Sequence, residues 1–251
     1  MLELKDTNDF LKCVRNELVP KNKKTSHGMI GLLEYRSNEN VNHPDNMYDR
    51  YNEKSKQYEG ESITAKLFKE IYGGVEKSSD TIFNCWNYFS MFARGILDIS
   101  YISPQMAIVR LDDIFKGYDE LGILFDKFAD LHHSMANFMP APRGYNGYSF
   151  RNHTHDGKGN YDRDNDFPDI YYKRAENDFP DIYSWINKNN KKYSLEFFEE
   201  YKSQWKDGSA NNPLNIKAKE ELEGFIQSIK DAITCLETRA ENLNTFTNTN
   251  L

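Results

Sequence analysis

The most regular alternation of apolar and polar positions in the chain lies in residues 118–139. At about 100° per residue, the apolar side chains of this stretch fall on one side of a helix. They are Leu121, Leu124, Phe128, Leu131, Met135 and Phe138. Asp126, Asp130, His133 and Asn137 fall on the opposite side. The pattern predicts one long amphipathic helix that ends against Pro140.

The polar side of this predicted helix carries the first candidate chemistry. A neighbouring carboxylate orients a histidine ring and raises its pKa, so His133 beside Asp126 and Asp130 is a candidate general base or metal ligand. Asn137 lies one turn further on, and Arg143 follows the helix. We take His133, Asn137 and Arg143 as candidate catalytic residues. The alternative is an ordinary solvated polar face.

Similar periodicity predicts other helices along the chain. They cover residues 7–18, 62–72, 79–96, 194–205 and 216–242. Two short apolar runs, residues 29–35 and 105–111, fit a strand as well as a helix. Residues 36–61 and 143–166 are polar and show no period, so we expect long loops there. The predicted fold class is mainly α, that is, α+β with at most a small sheet formed by the two ambiguous runs.

The length of 251 residues allows one large domain with its own core. We expect a single mainly helical domain over residues 1–245 and a frayed tail over residues 246–251. Within the domain we expect an N-terminal helix and polar loop over 1–60, core helices over 61–140, a polar loop over 141–166 and C-terminal helices over 167–245.

The last predicted helix has apolar residues at heptad spacing. Leu222, Ile229, Leu236 and Leu243 follow one another at intervals of seven. This spacing suits packing along a neighbouring helix. We favour packing within the chain, and the alternative is a homodimer through the 216–242 helix.

The heptapeptide NDFPDIY occurs twice, at residues 165–171 and 177–183. Pro suits the first position of a helix, and Asp in the first turn complements the positive end of the helix dipole. The repeat therefore predicts two short successive helices. If it is a bivalent motif, its partner-binding residues are Phe167, Asp169, Tyr171, Phe179, Asp181 and Tyr183. The alternative is a duplication without a function of its own.

The polar loop before the repeat contains candidate metal ligands. They are His153, His155, Asp156, Asp162 and Asp164. Two histidines two residues apart point the same way in an extended chain and can share one ion. The carboxylates do not form an EF-hand, because Phe167 replaces the glycine required at position 6 and Lys173 the glutamate required at position 12.

The charge balance limits the classes of partner. The formal net charge is −7, so direct nucleic-acid binding is not expected without a local basic groove. The three cysteines form no C-x-x-C pair, which excludes the usual zinc-ribbon spacing and favours a reducing, cytoplasmic compartment. No stretch is apolar for about 18 residues, so no membrane span is expected.

These observations lead to two hypotheses of function. The first is a non-enzymatic acidic binding or modulator protein that acts on a protein or nucleoprotein partner and needs no cofactor. The abundance of Asn, Lys and Tyr suggests a bacterial, phage or mobile-element origin, with an anti-defence or regulatory role. The alternative is a hydrolase or nuclease that uses residues 133–166 and a divalent metal ion.

Overall fold

The computed structural model describes residues 4–14, 26–37, 50–52, 57–59, 71, 78–141, 168–204 and 212–250. The described chain is mainly helical with short antiparallel strands, which confirms the predicted class. The helices are α1 Thr7–Leu11, α2 Gly28–Arg36, α3 Cys85–Leu97, α4 Pro104–Val109, α5 Leu111–Phe115, α6 Asp119–His132, α7 Pro168–Asp178, α8 Pro180–Tyr193, α9 Phe197–Glu200 and α10 Lys219–Asn250. The strands are β1 Arg50–Asn52, β2 Gln57–Glu59, β3 Ser78–Thr81 and β4 Phe138–Ala141.

The strands come from segments other than those predicted. Residues 29–35 belong to α2, and residues 105–111 span α4 and the start of α5. Strand β1 pairs with β2, and β3 pairs antiparallel with β4 from Ser78 opposite Ala141 to Thr81 opposite Phe138. The ambiguous run in α4 is helical for two local reasons. The hydroxyl of Ser103 accepts a hydrogen bond from Met106 N as an N-cap, and Pro104 occupies the first helical turn.

Helix α3 begins later than predicted. Residues 78–81 form β3, and the helix starts at Cys85 after Asn84, whose side chain accepts a hydrogen bond from Asn87 N. Its aromatic residues build the centre of the core. The ring of Tyr88 lies 5.4 Å from that of Phe128 in α6, and the ring of Phe92 lies 6.4 Å from that of Phe225 in α10.

Helix α6 is shorter than the predicted 118–139 helix. It ends at His132, and a 3₁₀ turn over Met135–Asn137 leads into β4. The carbonyl of His133 accepts a hydrogen bond from Val14 N, 2.9 Å away. The chain leaves the helix because distant segments supply backbone partners that helical periodicity does not reveal.

The duplicated heptapeptide forms two successive helices, as predicted. Pro180 stands in the first turn of α8, and Ile182 behind it is buried. The first copy begins α7 in the same way, with Pro168 as its first residue.

Helix α10 runs further than predicted and packs within the chain. It continues to Asn250, so residues 246–250 are helical and not a frayed tail, and Thr247 is buried. Its heptad residues Ile229, Leu236 and Leu243 are buried, and the helix packs against α1, α6 and the 3₁₀ turn. These three heptad residues are therefore covered within the chain, as the favoured intramolecular packing requires.

The helix predicted over 194–205 is reduced to the single turn of α9. None of the helices in the described ranges is long and apolar enough to cross a membrane.

Candidate functional site

The predicted stripe of Asp126, Asp130, His133 and Asn137 is divided by the end of α6. Asp126 and Asp130 lie on the helix and accept hydrogen bonds from Met29 N at 2.8 Å and Gly28 N at 3.0 Å. Carboxylates at this position stabilise the positive end of the α2 dipole. The two aspartates therefore hold the start of α2 against α6.

Gly28 makes this contact sterically possible. Its φ is +64°, and a Cβ placed there would lie 2.4 Å from Asp126 Oδ1. A larger residue would push the carboxylate away from the start of α2, so the capping arrangement depends on glycine at this position.

His133 and Asn137 are buried, whereas Asp126 is exposed and Asp130 is partly exposed. His133 is 2% exposed, and its ring lies 4.3 Å from that of His132 and 5.0 Å from that of Tyr35. The prediction that His133 and Asn137 lie on the polar side of one helix with the two aspartates is wrong, and so is the alternative of a solvated face for these two residues. The reason is that the helix ends one residue before His133.

The side chain of Asn137 is engaged by the backbone. Its Oδ1 accepts from Phe83 N at 2.8 Å, while its Nδ2 donates to Phe83 O at 2.9 Å and to His132 O at 2.8 Å. These bonds satisfy peptide groups that are buried beside β3 and at the end of α6. The arrangement gives Asn137 a structural role.

The other predicted ligands of a catalytic or metal site lie outside the described residues. They are Arg143, His153, His155, Asp156, Asp162 and Asp164, together with Phe167 of the repeat. In the part of the chain that the structure describes, no group of three or more His, Cys, Asp or Glu side chains could hold a metal ion.

The two copies of the repeat occupy different environments. Tyr171 in the first copy is 1% exposed, and Asp169 accepts a hydrogen bond from Ser203 N at 3.0 Å. In the second copy Asp181 is exposed, and the half-buried Tyr183 donates to Glu176 Oε1 at 3.3 Å. The Tyr and the Asp that follows the Pro are therefore both less exposed in the first copy than in the second, so these two positions do not form the same surface in the two copies.

The large exposed hydrophobic side chains of the described residues come from neighbouring elements. Within the described ranges they are Ile30, Tyr101, Met106, Ile108, Val109 and Ile123. They come from α2, from α4 and the residues just before it, and from α6, and α2 packs against both α4 and α6. We call this surface the apolar face.

A groove of about 380 Å³ adjoins the apolar face between the start of α2, α5 and the start of α6. Ile30, Leu111 and Phe115 contribute apolar side chains to its walls, and Asp112 and Asp119 contribute exposed carboxylates. The charged side chains that line the groove are Asp112, Lys116, Asp119 and Asp126, with His27 beside them. Acidic groups therefore outnumber basic ones at this edge.

A second groove, of about 600 Å³, lies between residues 194–204 and the long helix α10. Cys235 is one of the residues that line it. Burial raises the pKa of the Cys235 thiol to about 11, and the carboxylates of Asp231 and Glu200 contribute to the rise. A thiol with this pKa is almost fully protonated at neutral pH and is a poor nucleophile.

Sequence reasoning missed both grooves. The side chains of α10 in the second groove are Asp231, Thr234, Cys235, Thr238, Arg239 and Asn242. Their spacing of three and four residues places them on one helix face, and this signal is present in the sequence. The apolar face had no such signal, because a short apolar run does not show which of its residues will be covered.

No family model matches the chain, and no match was found among curated proteins or solved structures.

Proposed function

We propose that the protein is a non-enzymatic binding protein that captures a basic amphipathic segment of a protein partner on its apolar face. The observation that carries this proposal is the concentration of exposed hydrophobic side chains on α2, α4 and α6. Val109 is 81% exposed and Ile123 is 72% exposed. Single exposed hydrophobic residues are ordinary, whereas a cluster on adjoining helices is typical of an interaction surface.

The charges around the apolar face indicate the chemistry of the partner. Asp112, Asp113, Asp119 and Glu120 are exposed on α5 and in the first turn of α6. One nearby cation, Arg110, is already paired with Asp113 at 3.3 Å. A partner with an apolar stripe flanked by Lys or Arg matches this surface in hydrophobicity and in charge.

The metal-dependent hydrolase or nuclease remains the alternative hypothesis. Its candidate ligands lie outside the described residues, and the two candidate catalytic residues that are described, His133 and Asn137, are buried. No observation on the described surfaces favours it over the binding function.

The test is a fluorescence-anisotropy titration with two amphipathic helical peptides that share a Leu stripe. One peptide carries Lys on its polar face and the other carries Glu. We expect the Lys peptide to bind at least about tenfold more tightly, because the Glu peptide meets like charges at the rim of the apolar face. The substitutions Val109→Asp and Ile123→Asp together should weaken the binding of the Lys peptide by about tenfold or more.

The matched control introduces two aspartates on exposed positions elsewhere, Ser184→Asp and Thr245→Asp. Equal binding of both peptides, or equal loss in both double variants, would contradict the proposal. Size-exclusion chromatography with light scattering measures whether the protein self-associates. A stable dimer that Val109→Asp dissociates would assign the apolar face to a second copy of this chain and overturn the proposal.

A further inference from the structure

The groove between residues 194–204 and α10 is elongated. Its α10 wall extends from Asp231 to Asn242, which corresponds to about 16 Å of helix at 1.5 Å per residue. The opposite wall includes Glu196, Phe197 and Glu200 in and beside α9. A volume of about 600 Å³ lies within the range of small-molecule sites.

Carboxylates stand on both walls of this groove. Glu196 and Glu200 lie on one side and Asp231 on the other. Asp231 and Glu200 line the groove from its two walls, and the carboxylates of both contribute to the raised pKa of the Cys235 thiol. A cation placed between Glu200 and Asp231 would therefore meet negative charge from both walls of the groove.

The basic residues of the groove only partly offset these carboxylates. Arg239 lies deep in the wall, and its guanidinium donates to Ala136 O at 2.6 Å, Phe138 O at 2.8 Å and Tyr193 O at 2.9 Å. Lys202 is exposed. Because the donors of Arg239 point to backbone carbonyls, its hydrogen-bonding capacity is directed into the fold and not into the groove.

The three carboxylates of the groove do not form a compact cluster. No three His, Cys, Asp or Glu side chains of the described residues are close enough to hold a metal ion. Separated carboxylates suit a ligand whose positive charges are also separated. Phe197 and Cys235 provide apolar contacts between them.

We propose that this groove binds a linear aliphatic polyamine, a molecule with ammonium groups separated by methylene chains. The ammonium groups pair with Glu200 and Asp231 and with Glu196 further along the groove. The methylene chain lies over Phe197 and Cys235. This site is separate from the apolar face, and it does not depend on the function proposed for that face.

The first experiment is isothermal titration calorimetry of the full chain with spermidine at low ionic strength, with Mg²⁺ as the comparison. We expect saturable binding of spermidine at a stoichiometry of one and no saturable binding of Mg²⁺. The double substitution Glu200→Gln and Asp231→Asn should weaken the binding of spermidine by about tenfold or more. The matched control is Glu220→Gln with Glu223→Gln, which removes the same charge from exposed positions of α10 outside the groove.

Non-saturable binding of spermidine, or equal weakening of binding by both double variants, would overturn the proposal. Circular dichroism of the two double variants checks that their folding is unchanged.

Discussion

Asn137 and Phe83 exchange two hydrogen bonds, in which the carboxamide of Asn137 pairs with both backbone groups of Phe83. The side chain thereby acts as an additional peptide unit beside the start of α3. The same Nδ2 also donates to His132 O at the end of α6. One buried amide thus connects three segments of the core.

Replacing this amide should destabilise the fold. Asn137→Ala leaves the buried N–H of Phe83 and the buried carbonyl of His132 without this partner, so we expect a loss of about 2–4 kcal/mol in the free energy of unfolding. Urea denaturation followed by circular dichroism measures it. The control, exposed Asn248→Ala, should change stability by less than about 0.5 kcal/mol, and an equal effect of both would refute the assignment.

Arg239 should be irreplaceable by lysine. Its guanidinium donates hydrogen bonds to carbonyls at the end of α8, in the 3₁₀ turn and at the start of β4. They are Tyr193 O, Ala136 O and Phe138 O. A lysine side chain has a single nitrogen and cannot bind the carbonyl of Tyr193 and those of Ala136 and Phe138 at once. We therefore expect Arg239→Lys to lower the free energy of unfolding by about 2–4 kcal/mol. The control is Arg110→Lys on the surface. A stability of Arg239→Lys within error of the unmodified protein would show that the fork geometry is not needed.

The aspartates of α6 should stabilise α2 through its N-terminus. Asp126→Ala and Asp130→Ala each remove one acceptor of a backbone N–H at the start of α2. Each should therefore lower the free energy of unfolding by about 1 kcal/mol. Asp126→Asn keeps the acceptor and loses the charge, so its effect should be smaller. Hydrogen exchange of Met29 N and Gly28 N measures the effect locally. Unchanged exchange in the alanine variants would contradict the capping role.

Asp9 should make stability depend on pH in the acid range. The ammonium of Lys12 and the backbone N–H of Lys5 hold the pKa of the Asp9 carboxyl below its ordinary value of 3.8. A lowered pKa in the folded state stabilises the protein above the unfolded pKa, and this contribution is lost as the pH falls through the folded value. Asp9→Asn should therefore be less stable at pH 7, and the difference should shrink below about pH 4.

This difference is measured by urea denaturation at several pH values. Asp113→Asn, a change at an exposed aspartate, is the control and should show a smaller pH-dependent difference. A constant difference between Asp9→Asn and the unmodified protein from pH 7 to pH 3 would contradict the role of the Asp9 charge.

The thiol of Cys235 should react slowly at neutral pH. Its pKa is raised from the ordinary 9.0 to about 11, so its thiolate fraction at pH 8 should be about a hundredfold below that of an unperturbed cysteine. The iodoacetamide rate at Cys235 should keep rising between pH 9 and pH 11. Asp231→Asn should lower the pKa by a minor amount, because burial is the larger cause. A rate that levels off near pH 9 would contradict the raised pKa.

Helical periodicity predicted much of the architecture correctly. The fold class, the intramolecular packing of α10 and the two helices of the repeat follow from apolar spacing and from the prolines at 168 and 180. The candidate chemistry was less predictable. The proposed stripe of Asp126, Asp130, His133 and Asn137 required the helix to continue past His132, and the structure ends it there.

The sequence by itself determined which segments have an apolar side and where proline and capping residues favour a helix start. Those properties depend on neighbours within one or two turns. The tertiary structure decided where α6 ends, because Val14 N and β3 offer backbone partners to residues that would otherwise continue the helix. It also decided that Tyr171 is buried whereas Tyr183 is half-exposed, although both stand in the same heptapeptide. Burial and pairing depend on which distant segments meet, and local sequence carries no information about that.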